Sequence, residues 1–371
     1  MQYLISKLEE NEYVNYVREK PESQIVQDIF WTHPTSVKLF NTFPTVLIMD
    51  STYKTNLYRM PLFEIVGVTS TYLTYSVGFA FMMSKKEDNF TWALQMLLKL
   101  LKPNSDMPKV VVTDRDPSMM NAVANVLPDS SAILCYFHVG KNIRSRIITD
   151  CKVKQNVVVV DGQKKIVDEE SHSKLVDTIF DASEKLVESH TQELYAGNLV
   201  EFQDACKDHP KFLEYVETTT LKPFKDKLVR AWMELVLHLG CRTTNRVEGA
   251  HGVVKEYLST SKGDLGTCSQ KIDEMLANQF GEIQSSFGRS VTVLEHRYKD
   301  VTLYSGLGGH MSRQAMNFIF VEEARSRKTL CIKKKTCGCV QRMSYGLPRA
   351  CFIAMKICHN KPIRLDEIHS H

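Results

Sequence analysis

Between Phe43 and Cys135 the apolar residues gather in short runs bounded by turn residues, and beyond Cys151 they mostly recur every three or four positions. Short runs predict strands. Val46-Leu47-Ile48 ends in Met49-Asp50, and Phe63 to Thr69 and Leu73 to Met82 are rich in β-branched and aromatic residues on either side of Ser70-Thr71. Lys109 to Thr113 and Ser131 to Cys135 predict two more strands. Before them, Asn89 to Leu101 places Phe90, Ala93, Leu94, Leu97, Leu98 and Leu101 on one helical face, with Pro103 just beyond. Asp116-Pro117 caps and starts a second helix through Val126, because proline at the first helical position gives up no needed N–H. Three strands, a helix, a strand, a helix and a strand is the order of a ribonuclease H-like mixed sheet.

The flanks read differently. Residues 1–42 are expected to be a mainly helical lead-in, from Ile25, Ile29 and Phe30 at helical spacing and Pro34 as a stop. Residues 43–150 form the first part of the α/β core. From 151 to 240 the strand signal fades except at Val157 to Val160, before Asp161-Gly162. Three helical stripes follow: Leu175, Val176, Ile179, Leu186 and Val187, then Leu199 and Phe202, then Leu228, Trp232, Leu235, Val236 and Leu239. This is a helical insertion. Residues 241–300 complete the core, starting with a helix whose Val247, Ala250, His251, Val254 and Leu258 share a side. Lys271 to Phe287 and Arg313 to Arg325 are also expected to be helical, and residues 301–371 end in a basic, cysteine-bearing tail.

Composition narrows the function classes. The 371 residues are 43% hydrophobic and 24% charged, enough to bury a core, and 47 basic against 43 acidic residues leave only +4. Nucleic-acid binding would need a local basic patch. No apolar stretch approaches the roughly 20 residues of a membrane span, and the acidic N-terminal segment argues against a secretory signal. Ten cysteines over this length read as reduced intracellular thiols or metal ligands, not a disulfide framework.

The candidate chemistry sits at strand ends. Asp50 and Asp114 each close an apolar strand, and two carboxylates brought together at a sheet edge repel unless a cation lies between them. Hard oxygen ligands suit magnesium or manganese. A third acid would complete a site for two ions about 3.5–4 Å apart, clamping the attacking and leaving oxygens of an in-line phosphoryl transfer. Glu248, projecting away from the apolar stripe of its helix, is the candidate. Each acid also has a structural reading: Asp50 in a turn, Asp114 in a loop cap with Asp116, and Glu248 in a capping box with Asn245. Spacing does not choose between them.

The stretches FPTVLIMDSTYKTNLYRMPLFEIVGV, VVVTDRDPSMMNAV, CYFHVGKNI and TTNRVEGAHGVVK, in that order, resemble the Mutator-like element (MULE) transposase domain of plants. They equally resemble the domesticated far-red impaired response group, transcription regulators derived from such transposases. The resemblance runs from about Phe43 to Leu258. It implies a ribonuclease H-like core with a helical insertion before the last acid. It matches Asp50, Asp114 and Glu248 to an Asp-Asp-Glu triad holding two magnesium or manganese ions. It further implies DNA as partner, transposon ends or promoter DNA, together with homo-oligomerisation and a nuclear location. The alternative is a non-cleaving DNA-binding regulator. The family's N-terminal zinc-type DNA-binding domain has no counterpart before Phe43.

Cys135 and His138 have Cys-x-x-His spacing, but no nearby pair supplies two further zinc ligands. Lys141, Arg144 and Arg146 after them could set a cationic helix face on a DNA backbone, or form an ordinary solvated face. In the tail, Cys337-Gly338-Cys339 followed by Cys351 resembles a SWIM-type zinc finger, degenerate because Arg349 stands where a third ligand belongs and a guanidinium cannot ligate zinc. Cys337, Cys339 and Cys351 are then at most three zinc ligands, with Cys358, His359, His369 and His371 as substitutes. Lys333-Lys334-Lys335 before them is a short candidate for phosphate contact or nuclear import.

Overall fold

The computed structural model describes residues 2–23, 25–152, 157–160, 163–166, 169–293, 295–329 and 340–371. They divide into two compact units, one made of residues 1–132 and 236–371, the other of residues 133–235. The expected helical insertion begins later, at 151.

The larger unit is built on a mixed sheet. After α1 (Gln2–Glu10) come β1 (Val14–Glu19) and β2 (Val26–Thr32), then α2 (Pro34–Thr42), β3 (Val46–Thr52), β4 (Leu62–Val68) and β5 (Thr74–Phe81). The series continues with α3 (Glu87–Leu98), β6 (Val110–Thr113), α4 (Pro117–Val126) and β7 (Ser131–Leu134). The sheet has seven strands in the order β1-β2-β5-β4-β3-β6-β7. Every pairing from β1 through β3 is antiparallel, whereas β3 and β6 run parallel.

Two corrections concern the lead-in. Val14–Glu19 and Val26–Thr32 are strands, not helix, and Ile29, Phe30 and Trp31 are all fully buried, as expected of a strand covered on both faces. Pro34 does not stop a helix but starts one, at its first position, with His33 as the cap whose Nδ1 accepts from the Thr35 N–H.

Alternation assigns the sheet faces. Leu47, Met49, Phe63, Ile65, Val77 and Val111 pack with α2, α3 and α4 in one core. Leu62, Phe79 and Phe81 pack on the opposite face with residues of α1 and of two later helices, α11 (Asn245–Leu258) and α12 (Leu265–Thr292). Since successive side chains point to opposite faces, Asp50 and Glu64, one residue on from Met49 and Phe63, share the face that α11 covers.

The second unit is helical: α5 (Tyr136–Asp150), α6 (Glu169–Val187), α7 (Gln192–Ala205), α8 (Pro210–Val216), α9 (Lys222–Leu228) and α10 (Arg230–Met233), with a π-helical turn at Glu217–Leu221. A hairpin of β8 (Val157–Val160) and β9 (Gln163–Ile166) interrupts it. Val176, Ile179, Leu186 and Val187 of the first expected stripe are buried. The third stripe, Leu228 to Leu239, is not one helix. It breaks at Val229, whose backbone is extended, and Leu235 is exposed.

The larger unit ends with α13 (Arg313–Thr329), α14 (Gln341–Tyr345) and α15 (Ala350–Cys358). Cys337, Cys339 and Lys333 to Lys335 lie outside the described residues. Cys351 lies on α15, half-buried, and Cys358 is exposed. Among the described residues no helix is long and apolar enough to cross a membrane.

Candidate functional site

Strand pairing brings the predicted acids together on one row. Val46, Leu47 and Ile48 of β3 pair with Val110, Val111 and Val112 of β6. Asp50 does not close β3 as expected but lies inside it, because Ser51 and Thr52 go on pairing with Phe63 and Leu62. Asp114 directly follows β6, and the parallel register extended by two residues brings it level with Asp50 on the neighbouring strand, about 4.8 Å away between backbones. On the other side Asp50 pairs directly with Glu64 of β4. Glu64 and Asp50 thus face each other across β4 and β3, and Asp114 follows β6 at the level that extends this row.

Helix α11 lies over this row, in contact with β3 and β4. It turns inward on Val247, His251, Val254 and Leu258, all buried. Glu248 is one turn before His251, half-buried near the helix start. The expected capping box with Asn245 does not form. Thr244 is the N-cap, its backbone carbonyl accepts from the Glu248 N–H, and its hydroxyl donates to Glu248 Oε1 at 2.6 Å. Asp50 in turn accepts from the Ser51 N–H through Oδ1 at 2.7 Å.

Asp116, the alternative structural acid, has a separate task. It caps α4, accepting from the Ser118 and Met119 N–H groups, with Pro117 behind it. Asp116→Ala is expected to cost about 1 kcal/mol, the usual value of a lost cap, and to leave manganese affinity unchanged. Urea unfolding and manganese titration of the same protein check both halves.

Two residues that motif reasoning passed over complete the constellation. Glu64 is 0% exposed, and its Oε1 accepts from the Ser76 hydroxyl at 2.9 Å. His251 bridges the acids, with Nδ1 3.9 Å from Asp50 Oδ2 and Nε2 3.7 Å from Glu64 Oε2. Among the described residues, Glu64 Oε2 and His251 Nε2 have no hydrogen-bond partner. Burial pushes the Glu64 carboxyl up to about 8 against a smaller opposing pull from Ser76, and pushes the His251 imidazole down to about 4, helped by Lys255 and Lys85. At neutral pH both are therefore uncharged.

The other fully buried carboxylate of this unit, Asp28, shows what structural service looks like. It accepts from Arg18, the Met83 N–H and the Asn89 amide, a saturated ion pair. Glu64 has one hydroxyl and one unsatisfied oxygen, and such groups gather at functional sites. The signal was in the sequence: one acid inside Leu62-Phe63-Glu64-Ile65-Val66, otherwise uninterrupted apolar strand.

The donor set fits hard divalent ions. Carboxylate oxygens dominate it, and the imidazole beside Asp50 is held neutral, so no buried cation competes. The other predicted residues are placed less suggestively. Cys135 Sγ and a His138 ring nitrogen lie within 4.8 Å of each other. Lys141 sits over the Phe137 ring, Arg144 pairs with Asp177 at 2.7 Å, and Arg146 with Asp150 at 3.4 Å. The cations of α5 thus already have partners within their own unit.

The family model of the MULE transposase domain matches residues 46–142, which include Asp50 and Asp114 but not Glu248. Protein FAR1-RELATED SEQUENCE 5 of Arabidopsis thaliana is 26% identical over 147 residues, 40% of this chain and 18% of that protein. Protein FAR-RED IMPAIRED RESPONSE 1 of the same plant is 26% identical over 143 residues, 38% of this chain and 17% of that protein. A PKS-NRPS hybrid synthetase, cheA, of Chaetomium globosum is 21% identical over 362 residues, 92% of this chain and 8% of that protein. The chain spans less than a fifth of the length of each of these relatives.

Proposed function

We propose that this chain, which carries a MULE transposase domain, is the core of a divalent-metal-dependent DNA transposase in which Asp50, Asp114 and Glu248 hold two magnesium or manganese ions. The observation that supports the reading is the parallel pairing of β3 with β6, whose extension by two residues brings Asp114 level with Asp50, while the helix that bears Glu248 packs on β3 and β4. The consecutive strands β5-β4-β3-β6-β7 are the five expected of a ribonuclease H-like sheet and support the same fold.

When bound, such ions activate a water nucleophile and neutralise charge on the transferring phosphate. The protein's own part is positioning. Asp50 is oriented by the Ser51 N–H and Glu248 by the Thr244 hydroxyl. Glu64 stays protonated at neutral pH, so it adds no fourth charge beside Asp50. Water attacks one phosphodiester in line and breaks its P–O3′ bond, leaving a DNA 3′-hydroxyl and a 5′-phosphate. That hydroxyl then attacks a second phosphodiester and displaces its 3′-oxygen, so one P–O bond breaks as another forms. DNA is thus both substrate and partner, and the nucleus the place of action.

The second reading is a domesticated, non-cleaving DNA-binding regulator, favoured by the matches to relatives named for the far-red impaired response. One experiment separates the two. Supercoiled plasmid is incubated with the protein in manganese and in EDTA, and DNA binding is followed in EDTA. Nicking in manganese alone supports the transposase. Binding without nicking supports the regulator, and neither outcome would leave DNA processing unsupported.

A further inference from the structure

The loop between β3 and β4, which leaves the sheet two residues after Asp50, presents an exposed surface of rings and cations. Tyr53, Leu57 and Tyr58 are 50%, 57% and 59% exposed, although the strands on either side are buried. Lys54 follows Tyr53 and Arg59 follows Tyr58, both exposed, and residues 53–60 include no acid.

The loop is built, not loose. Buried Asn56 closes it from within, its Nδ2 donating to the Met60 carbonyl at 2.8 Å and its Oδ1 accepting from the Met60 N–H at 3.1 Å. The Leu57 N–H donates to the Gly263 carbonyl at 2.9 Å, and the Cys268 thiol to the Thr55 carbonyl at 3.0 Å. Lys54 and Arg59 hold φ of +61° and +57°, a left-handed conformation that costs a non-glycine residue roughly 1 kcal/mol or more. The hydrogen-bonded frame thus fixes the two cations and two tyrosines outward at a backbone cost.

The surface also opens toward the acids. Lys85 Nζ lies 5.6 Å from the centre of the Tyr53 ring and 3.9 Å from Asp116 Oδ2.

We propose that this loop is a stacking platform for an unpaired DNA strand, with Tyr53 and Tyr58 taking base faces while Lys54 and Arg59 take the phosphates beside them. The inference rests on the DNA-processing reading above and says which form of DNA the site holds. Rings alternating with cations suit a single strand, because every unpaired base offers a face for stacking whatever the sequence. A duplex keeps its faces inside the stack and would meet only the charges.

The test uses the full chain, a labelled oligothymidylate and a labelled duplex of equal length, with anisotropy read in EDTA at fixed salt. Tyr53→Ala and Tyr58→Ala are each expected to weaken single-strand binding about tenfold, the scale of one lost base–ring stack. Duplex binding should change less than about twofold. Tyr53→Phe and Tyr58→Phe, which keep the ring, should bind the single strand as wild type does, and all four variants should melt with wild type because the rings are exposed. Unchanged single-strand affinity in both alanine variants would overturn the proposal. So would equal losses on duplex and single strand, or phenylalanine variants as weak as the alanines. If wild type binds no DNA, the functional reading falls as well. If wild type nicks DNA while the alanine variants bind normally, only the platform falls.

Discussion

Replacing Asp50 by Asn is expected to lower manganese-dependent nicking of plasmid DNA about a thousandfold or more. The change keeps the shape of the side chain and the contact with the Ser51 N–H, but removes one negative charge from the middle of the register row. Charge stabilisation by bound ions is worth several kcal/mol in such reactions, and each 1.36 kcal/mol is a factor of ten in rate. Asp114→Asn should behave alike, because the register offset sets it beside Asp50. Glu248→Gln tests the helix side. If Glu248 only steadies the start of α11 through Thr244, the glutamine variant loses on the order of 1 kcal/mol of stability and binds manganese as before. If it is the third acid, manganese binding weakens, because fewer anionic oxygens oppose the repulsion between two dications. A manganese titration with thermal melts alongside reads both quantities. Wild-type rates in Asp50→Asn, or equal manganese affinity in Glu248→Gln, would remove those residues from the metal site.

What could be read in advance follows from how each segment is covered. In β3 a run of four apolar residues meets Asp50, and at the end of β6 three valines and Thr113 meet Asp114; such an abrupt change after an apolar run signals a buried strand. Strand β2 was missed for a physical reason. Asp28 lies inside it, fully buried by pairing with Arg18, and Ile29-Phe30-Trp31 have no alternation because both faces are covered. One-dimensional periodicity cannot tell such a run from a helix turn. Pro34 and the Val229 break show the same limit, since proline marks the first turn of one helix as readily as the end of another. Of the site, the two aspartates were legible because each follows an apolar run, although β3 continues two residues past Asp50. Glu64 and His251 were not, because an acid inside a strand and a histidine in an apolar helical stripe gain meaning only from what lies opposite. Cross-strand register supplied that for Glu64, and the packing of α11 on β3 and β4 supplied it for His251.

Glu64→Gln should make the metal-free protein more stable, by an amount that depends on pH. The native carboxyl, pushed up to about 8 by burial, keeps its proton across a range in which the unfolded chain, near 4.5, has lost it. Between those values the unfolded state binds fewer protons than the native state, so wild-type stability falls as pH rises. The slope is about 1.4 kcal/mol per pH unit, and the total from pH 4.5 to 8 is on the order of 5 kcal/mol. His251 works in the opposite direction. Its native value is depressed to about 4, so the unfolded chain takes the proton first and stability falls as pH drops below about 6.5. In wild type the two slopes oppose each other between roughly pH 4.5 and 6.5, and Glu64 acts alone from 6.5 to 8. Glutamine at 64 can keep the Ser76 contact through its carbonyl and offers an amide N–H to His251 Nε2, without a group that ionises. Urea unfolding in EDTA at pH 5, 6.5 and 8 should therefore give a difference between variant and wild type that widens toward pH 8. Parallel pH profiles for the two proteins would mean that Glu64 is charged in the native state, and Asp50 would then have an anionic neighbour in the metal-free protein.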